Sequence, residues 1–189
     1  MLKNFLNGSP LLLIGMLVFL GWKLLGDNKT WTDDSGKAPP IADTWTVTKV
    51  SDGDTITVRQ TTGEELKIRF CGIDANESKQ EGGQEAKAYL KKLLDQTEGE
   101  IMVSPVSTDR YNRTVAEIFI SLKNGSEQFI QEEMLKAGMA RVYPQYISSC
   151  PNKDAILKAE DIAKQNRVGV WANPNSIPPW EWRHQNKGS

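Results

Sequence analysis

Ser51-Asp52-Gly53-Asp54-Thr55, then Arg69, then Asp74-Ala75-Asn76-Glu77, and later Asp109-Arg110-Tyr111-Asn112-Arg113 gather carboxylates and guanidinium groups around strand ends and loops. Oxygen-rich acids suit a hard cation such as Ca²⁺, and arginines on separate segments can fork onto phosphate oxygens and onto the negative charge that builds during displacement. That is the chemistry of a metal site that cuts phosphodiesters. Each cluster taken singly also has an ordinary reading. Asp52-Gly53-Asp54 between two alternating runs is a common hairpin turn, Glu77 is a solvated loop acid, and Arg69 pairs with a barrel carboxylate.

The elements that must position these groups read as strands first and helices later. Thr46-Val47-Thr48-Lys49-Val50 and Thr55-Ile56-Thr57-Val58-Arg59 alternate apolar with polar residues, and Thr62-Gly63 turns the chain before a third strand from Leu66 to Ile73. After Gly82-Gly83, residues Ala86, Tyr89, Leu90, Leu93 and Leu94 form the stripe of an amphipathic helix. Strand character returns over Ile101 to Val106 and Thr114 to Ser121, with Asn124-Gly125 turning afterwards. Helices follow from Phe129 to Ala137, stopped by Gly138, and from Asp154 to Gln165, stopped before Gly169. The pattern predicts an α+β domain with a mainly β core. Lys136, Arg141, Lys158, Lys164 and Arg167 read as solvated helix charges.

Composition narrows the function classes. The 189 residues carry a formal net charge of -1, so any nucleic-acid contact must be local rather than that of a polycation. His184 is the one histidine, which removes most histidine-based mechanisms, and Cys71 and Cys150 lack the nearby ligand spacings of a zinc site.

Four regions are expected: 1-26 as a membrane anchor or signal segment, 27-43 as a polar linker, 44-172 as the folded domain, and 173-189 as a Pro- and Trp-containing tail. In the leader, Lys3 precedes an apolar run from Pro10 to Trp22, and Leu24-Leu25 resumes it after Lys23. If Lys23 snorkels, residues 5-25 reach the roughly 20 needed to span a bilayer. The expected location is then the cell membrane, single-pass, with the C-terminal domain outside. The alternative is a secreted or periplasmic protein after signal cleavage. Outside the membrane Cys71 and Cys150 can form a bridge, whereas a reducing cytosol would leave two thiols, and the anchor reading favours the bridge. Asn76-Glu77-Ser78 and Asn112-Arg113-Thr114 are formal glycosylation acceptors beside the candidate site, which points to a prokaryotic envelope.

From about Trp45 to Trp171 the order and spacing of these clusters closely resemble the staphylococcal nuclease (thermonuclease) family. The resemblance implies a five-stranded OB-type barrel with three packed helices, here preceded by an N-terminal apolar helix. It implies a Ca²⁺-dependent nuclease acting on DNA and RNA, single-stranded or locally opened, with no obligate protein partner inferred. Asp54 and Asp74 occupy its Ca²⁺-ligand positions, with the backbone carbonyl of Ala75 as a third ligand. Glu77 matches the glutamate that holds a water for in-line attack, and Arg69 and Arg113 match the arginines that stabilise the transition state. Tyr111 and Tyr146 match nucleotide-touching positions, Arg110 joins them as a phosphate contact, and Tyr143 is a neighbour. Asn76 stands where the family usually carries proline, which implies a looser loop around Glu77. A non-catalytic OB-fold module binding nucleic acid or oligosaccharide is the alternative, and an envelope structural protein a third reading.

Overall fold

The computed structural model describes residues 44–186. The leader, the linker and the expected span at residues 5-25 lie outside the described residues. Among the described residues no helix is long and apolar enough to cross a membrane.

Strands β1 (Thr44–Val50), β2 (Thr55–Arg59) and β3 (Glu65–Phe70) form an antiparallel meander, as their alternation predicts. The chain then crosses to β5 (Glu100–Thr108), which pairs with β1, and returns along β6 (Thr114–Ser121), antiparallel to β5. A parallel ladder between β3 and β6, Ile68 facing Thr114 and Arg69 facing Val115, closes the five strands into a barrel. Closure leaves no bare edge among these five strands. Their inward residues Ile56, Val58, Ile68, Phe70, Ile101, Ala116, Ile118 and Ile120 are buried and fill the interior.

Three short strands escape the sequence pattern. The expected third strand does not run on to Ile73: Gly72 takes φ 73°, which breaks it, and β4 (Ile73–Ala75) pairs instead with β8 (Ala140–Val142). A side chain at Gly72 would also meet Cys150 Sγ at 2.9 Å. Strand β7 (Glu127–Phe129) extends the sheet beside β6 and takes the start of the expected second helix.

Helix α1 (Gly83–Leu94) buries Ala86, Leu90, Leu93 and Leu94, while Tyr89 is half-buried. Each fully buried leucine stabilises the fold by about 2 kcal/mol, and Leu90→Ala is expected to cost about 2–5 kcal/mol. Helices α2 (Ile130–Lys136) and α3 (Lys153–Asn166) pack against each other, and both contact β8. Buried polar side chains fix them to the barrel. Gln131 bonds the backbone of Ala116 and Ile118 at 3.0 and 3.1 Å, and Glu117 accepts from the backbone and side-chain amides of Asn152 at 2.8 and 2.6 Å. Cys71 and Cys150 are joined in a disulfide with Cα atoms 5.9 Å apart.

Among the described residues there is one helix more than the pattern predicts for this region. Helix α4 (Pro179–Gln185) lies in the segment read as a tail, with Pro179 at its first turn, where a missing N–H costs nothing. Arg141, read as a solvated helix charge, is buried on β8. Its Nη2 donates to the carbonyls of Val170 and Ser176, both at 3.2 Å, and its guanidinium lies 4.0 Å from the centre of the Trp171 ring.

Candidate active site

The β1–β2 hairpin carries Asp54 into the barrel mouth. Asp52 Oδ1 accepts the Asp54 N–H at 3.0 Å, and Ser51 N–H bonds Thr55 carbonyl at 2.9 Å, so the segment is a turn and an acid presenter at once. Gly53 is required because a Cβ there would lie 2.7 Å from that of Ala75 and 2.9 Å from that of Ala86. Strand β4, short and turned away after Gly72, brings Asp74 to the same place.

Both acids converge on Arg69 of β3. Its Nη1 lies 2.5 Å from Asp54 Oδ1 and its Nη2 2.7 Å from Asp74 Oδ1. Asp54 also accepts from the Thr55 hydroxyl at 3.0 Å and the Ala75 N–H at 2.6 Å. A further cation closes the cluster from α4. Arg183 Nη2 donates to Asp74 Oδ2 at 2.7 Å, and its Nη1 to Asp74 Oδ1 at 3.1 Å and to Glu77 Oε1 at 2.8 Å.

The loop after β4 holds Glu77. Asn76 is buried in this loop, where Nδ2 donates to the Glu81 carbonyl at 2.6 Å and Oδ1 has no hydrogen-bond partner. Gln80 Oε1 accepts the Glu77 N–H at 3.1 Å, and its Nε2 reaches the Ile177 carbonyl at 2.7 Å. Gly83 packs so closely beneath that a Cβ would collide with the Glu77 carbonyl.

Burial dominates the electrostatics. It pushes the Asp52 carboxyl up to about 6, helped by the neighbouring charge of Asp54. It pushes Asp74 upward as well, against the hydrogen bonds of Arg183 and the charge of Arg69. For Arg69 burial works against the charged form, and the charges of Asp54, Asp74 and Asp52 outweigh it, so the guanidinium is held above its ordinary value.

The chemistry of the donor set fits a hard cation. A carboxylate has about four lone-pair sites. Asp54 uses three of them on Thr55, Arg69 and Ala75, and Asp74 uses three on Arg69 and Arg183. By this count Asp74 keeps one lone-pair site, while at Asp54 a side-chain hydrogen bond with Asp52 competes for the fourth, so a cation there would displace Asp52 from it. Among the described residues no group of three or more His, Cys, Asp or Glu side chains is arranged to grip a metal, so a carbonyl, water and substrate oxygens would have to complete the shell.

The structure brings Asp54, Arg69, Asp74, Ala75 and Glu77 together, and it keeps Arg113 out of contact with these acids. Arg113, at the entry to β6, donates Nε to Asp109 Oδ2 at 2.7 Å and lies 5.5 Å from the centre of the Tyr111 ring. Arg110 stacks over the same ring at 4.8 Å. Tyr111 is 64% exposed and Tyr146 48%. Tyr146 meets Tyr143 edge-on, and Tyr143 stacks on Trp180 of α4 with ring centres 5.6 Å apart. Sequence reasoning missed Arg183. The available signal was Pro178-Pro179 opening a helix that places Trp180 and Arg183 three residues apart on one face.

A model of the family described as staphylococcal nuclease homologue matches residues 67–173. A Haemophilus influenzae protein named uncharacterized endonuclease is 37% identical over 142 residues, covering 75% of this chain and 73% of that protein. The micrococcal nuclease of Shigella flexneri is 34% identical over 150 residues, covering 76% and 82%. A staphylococcal-like nuclease of Arabidopsis thaliana is 40% identical over 126 residues, 66% of this chain but 35% of that longer protein. The chain belongs to the staphylococcal nuclease family.

Proposed function

We propose that the protein is a Ca²⁺-dependent nuclease that hydrolyses phosphodiester bonds of DNA and RNA. The observation that carries this reading is the convergence of Asp54, from the β1–β2 turn, and Asp74, from β4, on the shared guanidinium of Arg69 with Glu77 alongside. Asp54, Asp74 and the Ala75 carbonyl would hold the cation, which when bound supplies Lewis-acid polarisation of a phosphate oxygen.

The remaining work falls to this chain's own groups. Glu77 Oε1 is held by Arg183, and Oε2 has no protein partner among the described residues, which suits it to accept a hydrogen bond from an attacking water. Arg69 commits Nη1 and Nη2 to the two acids and keeps further N–H donors for a phosphate oxygen. Arg113 binds Asp109 through Nε and Nη2, so both N–H groups of Nη1 and the second of Nη2 are left for the equatorial oxygens of the transition state. Tyr111 and Tyr146 offer exposed ring faces for unstacked bases, with Arg110 beside Tyr111. The leader at residues 5-25 would tether this activity outside the membrane. That placement predicts resistance to alkaline carbonate extraction with the C-terminal domain accessible from outside, and a mature N-terminus between Gly21 and Thr44 would contradict it.

The site reading is tested by titrating Ca²⁺ calorimetrically into the Asp54→Asn and Asp74→Asn proteins. Each substitution removes a formal charge from the proposed shell and is expected to weaken binding by about tenfold or more. Unchanged affinity in both removes these residues from the metal site.

A further inference from the structure

Glu77 is tied to the C-terminal segment through both its backbone and its side chain. Its N–H is held by Gln80, whose amide in turn donates to the Ile177 carbonyl at 2.7 Å. Its carboxylate takes a 2.8 Å bond from Arg183, the one cation paired with it among the described residues. The same guanidinium forks onto both oxygens of Asp74. A planar fork fixes the separation and the mutual orientation of the groups it binds, which a flexible ammonium cannot do.

Arg183 is itself well anchored. Trp180, three residues earlier on the same helical face, stacks on Tyr143 with its ring plane 5° from parallel, and the Arg183 guanidinium lies 6.0 Å from the centre of that Tyr143 ring. Arg141 grips the chain leading into α4 at the carbonyls of Val170 and Ser176. Without the guanidinium, Glu77 would face the negative Asp74 unshielded. Its side chain is 33% exposed, and solvent would offer it an open alternative.

We propose that Arg183 is a positioning residue that holds the Glu77 carboxylate in register with Asp74, making α4 part of the active site. This rests on the reading of Glu77 as the water-holding group. The segment carrying Arg183 lies beyond the family match, which ends at residue 173.

The test compares the full-length protein with its Arg183→Gln, Arg183→Lys and Glu77→Gln variants. It measures kcat and KM on single-stranded DNA at saturating Ca²⁺, melting temperature, Ca²⁺ affinity, and amide hydrogen exchange of residues 76–82 in metal-free protein. A misplacement of about 1 Å at a reacting group costs about a hundredfold, so Arg183→Gln is expected to lower kcat by about 30- to 100-fold with KM within about threefold. Exchange at residues 76–82 should quicken, and Arg183→Lys should recover part of the rate because it restores the charge without the fork. A kcat within twofold of the parent, with only a lower melting temperature, overturns the proposal and leaves α4 a structural brace. Tighter Ca²⁺ binding with undiminished kcat also overturns it, and makes Arg183 a competitor of the cation. Full parental activity with an impaired Glu77→Gln and an unimpaired Arg183→Gln defeats this proposal alone. An inactive parent defeats the nuclease reading and this proposal with it, whereas a fully active Glu77→Gln defeats the role of Glu77 on which this proposal rests.

Discussion

Asp74 and Asp109 each face a guanidinium at 2.7 Å, yet their carboxyl groups are driven in opposite directions. Burial pushes Asp74 up despite Arg69 and Arg183 together. At Asp109 burial is outweighed by the N–H groups of Arg113 and Tyr111 and by the Arg113 side chain, and the carboxyl is held below its ordinary value. The ion pair is the same chemistry in both places, so the surroundings decide. At Asp109 the turn supplies backbone donors made for a carboxylate. At Asp74 three acids crowd a desolvated mouth whose charge two guanidiniums do not fully balance, the condition that marks functional sites more often than structural ones.

Arg113→Lys breaks this comparison most forcefully. If Arg113 stabilises the transition state, the lysine protein should lose about a hundredfold in kcat, about 3 kcal/mol, while keeping its melting temperature. If Arg113 only completes the Asp109 turn, turnover stays within a few-fold and the melting temperature falls. Glu77→Gln should lose rate to a similar extent.

Next in size is the disulfide, which braces the acid side of the comparison because Cys71 directly precedes the Gly72 break and β4. Replacing Cys71 and Cys150 by alanine together should cost about 2–4 kcal/mol in denaturant unfolding. Hydrogen exchange should quicken at β4 and stay unchanged at the 109–113 turn. Equal quickening at both would show that the bridge stabilises the barrel without regard to the site.

The two smallest effects carry opposite signs. The folded protein holds a proton on Asp52 up to about 6 against the ordinary 3.8, so this group's contribution to stability declines as pH rises between those values. In chelator, Asp52→Asn should match the parent near pH 4 and exceed it above pH 6 by on the order of 1–2 kcal/mol, allowing for partial exposure. Asp109 is depressed, so its stabilisation is present above the ordinary carboxylate value and lost as pH falls through the folded one. Asp109→Asn should therefore be less stable than the parent at neutral pH by about 1 kcal/mol or less, and equal to it in strong acid. Melting curves from pH 3 to 8 read both.

Much of this architecture was legible in the sequence because it is periodic. The alternation of β1 and β2 and the Leu90, Leu93 and Leu94 stripe of α1 report directly which face is buried. The three-residue strands β4, β7 and β8 are too short to show a period, and so Arg141 passed for a helix charge. The acids and Arg69 were legible as a set through their order and spacing. The Arg183 contacts span 109 positions to Asp74 and 106 to Glu77, and no local pattern encodes a pairing of that length.

Cleavage of DNA and RNA by the full-length protein, assayed with Ca²⁺ and again with a chelator, bears most directly on the central claim. Hydrolysis of both polymers is expected in Ca²⁺, abolished by chelation and restored by returning Ca²⁺, with Asp54→Asn and Asp74→Asn each needing more Ca²⁺ for the same rate. Cleavage indifferent to chelation, or no cleavage by a folded protein in saturating Ca²⁺, would contradict it.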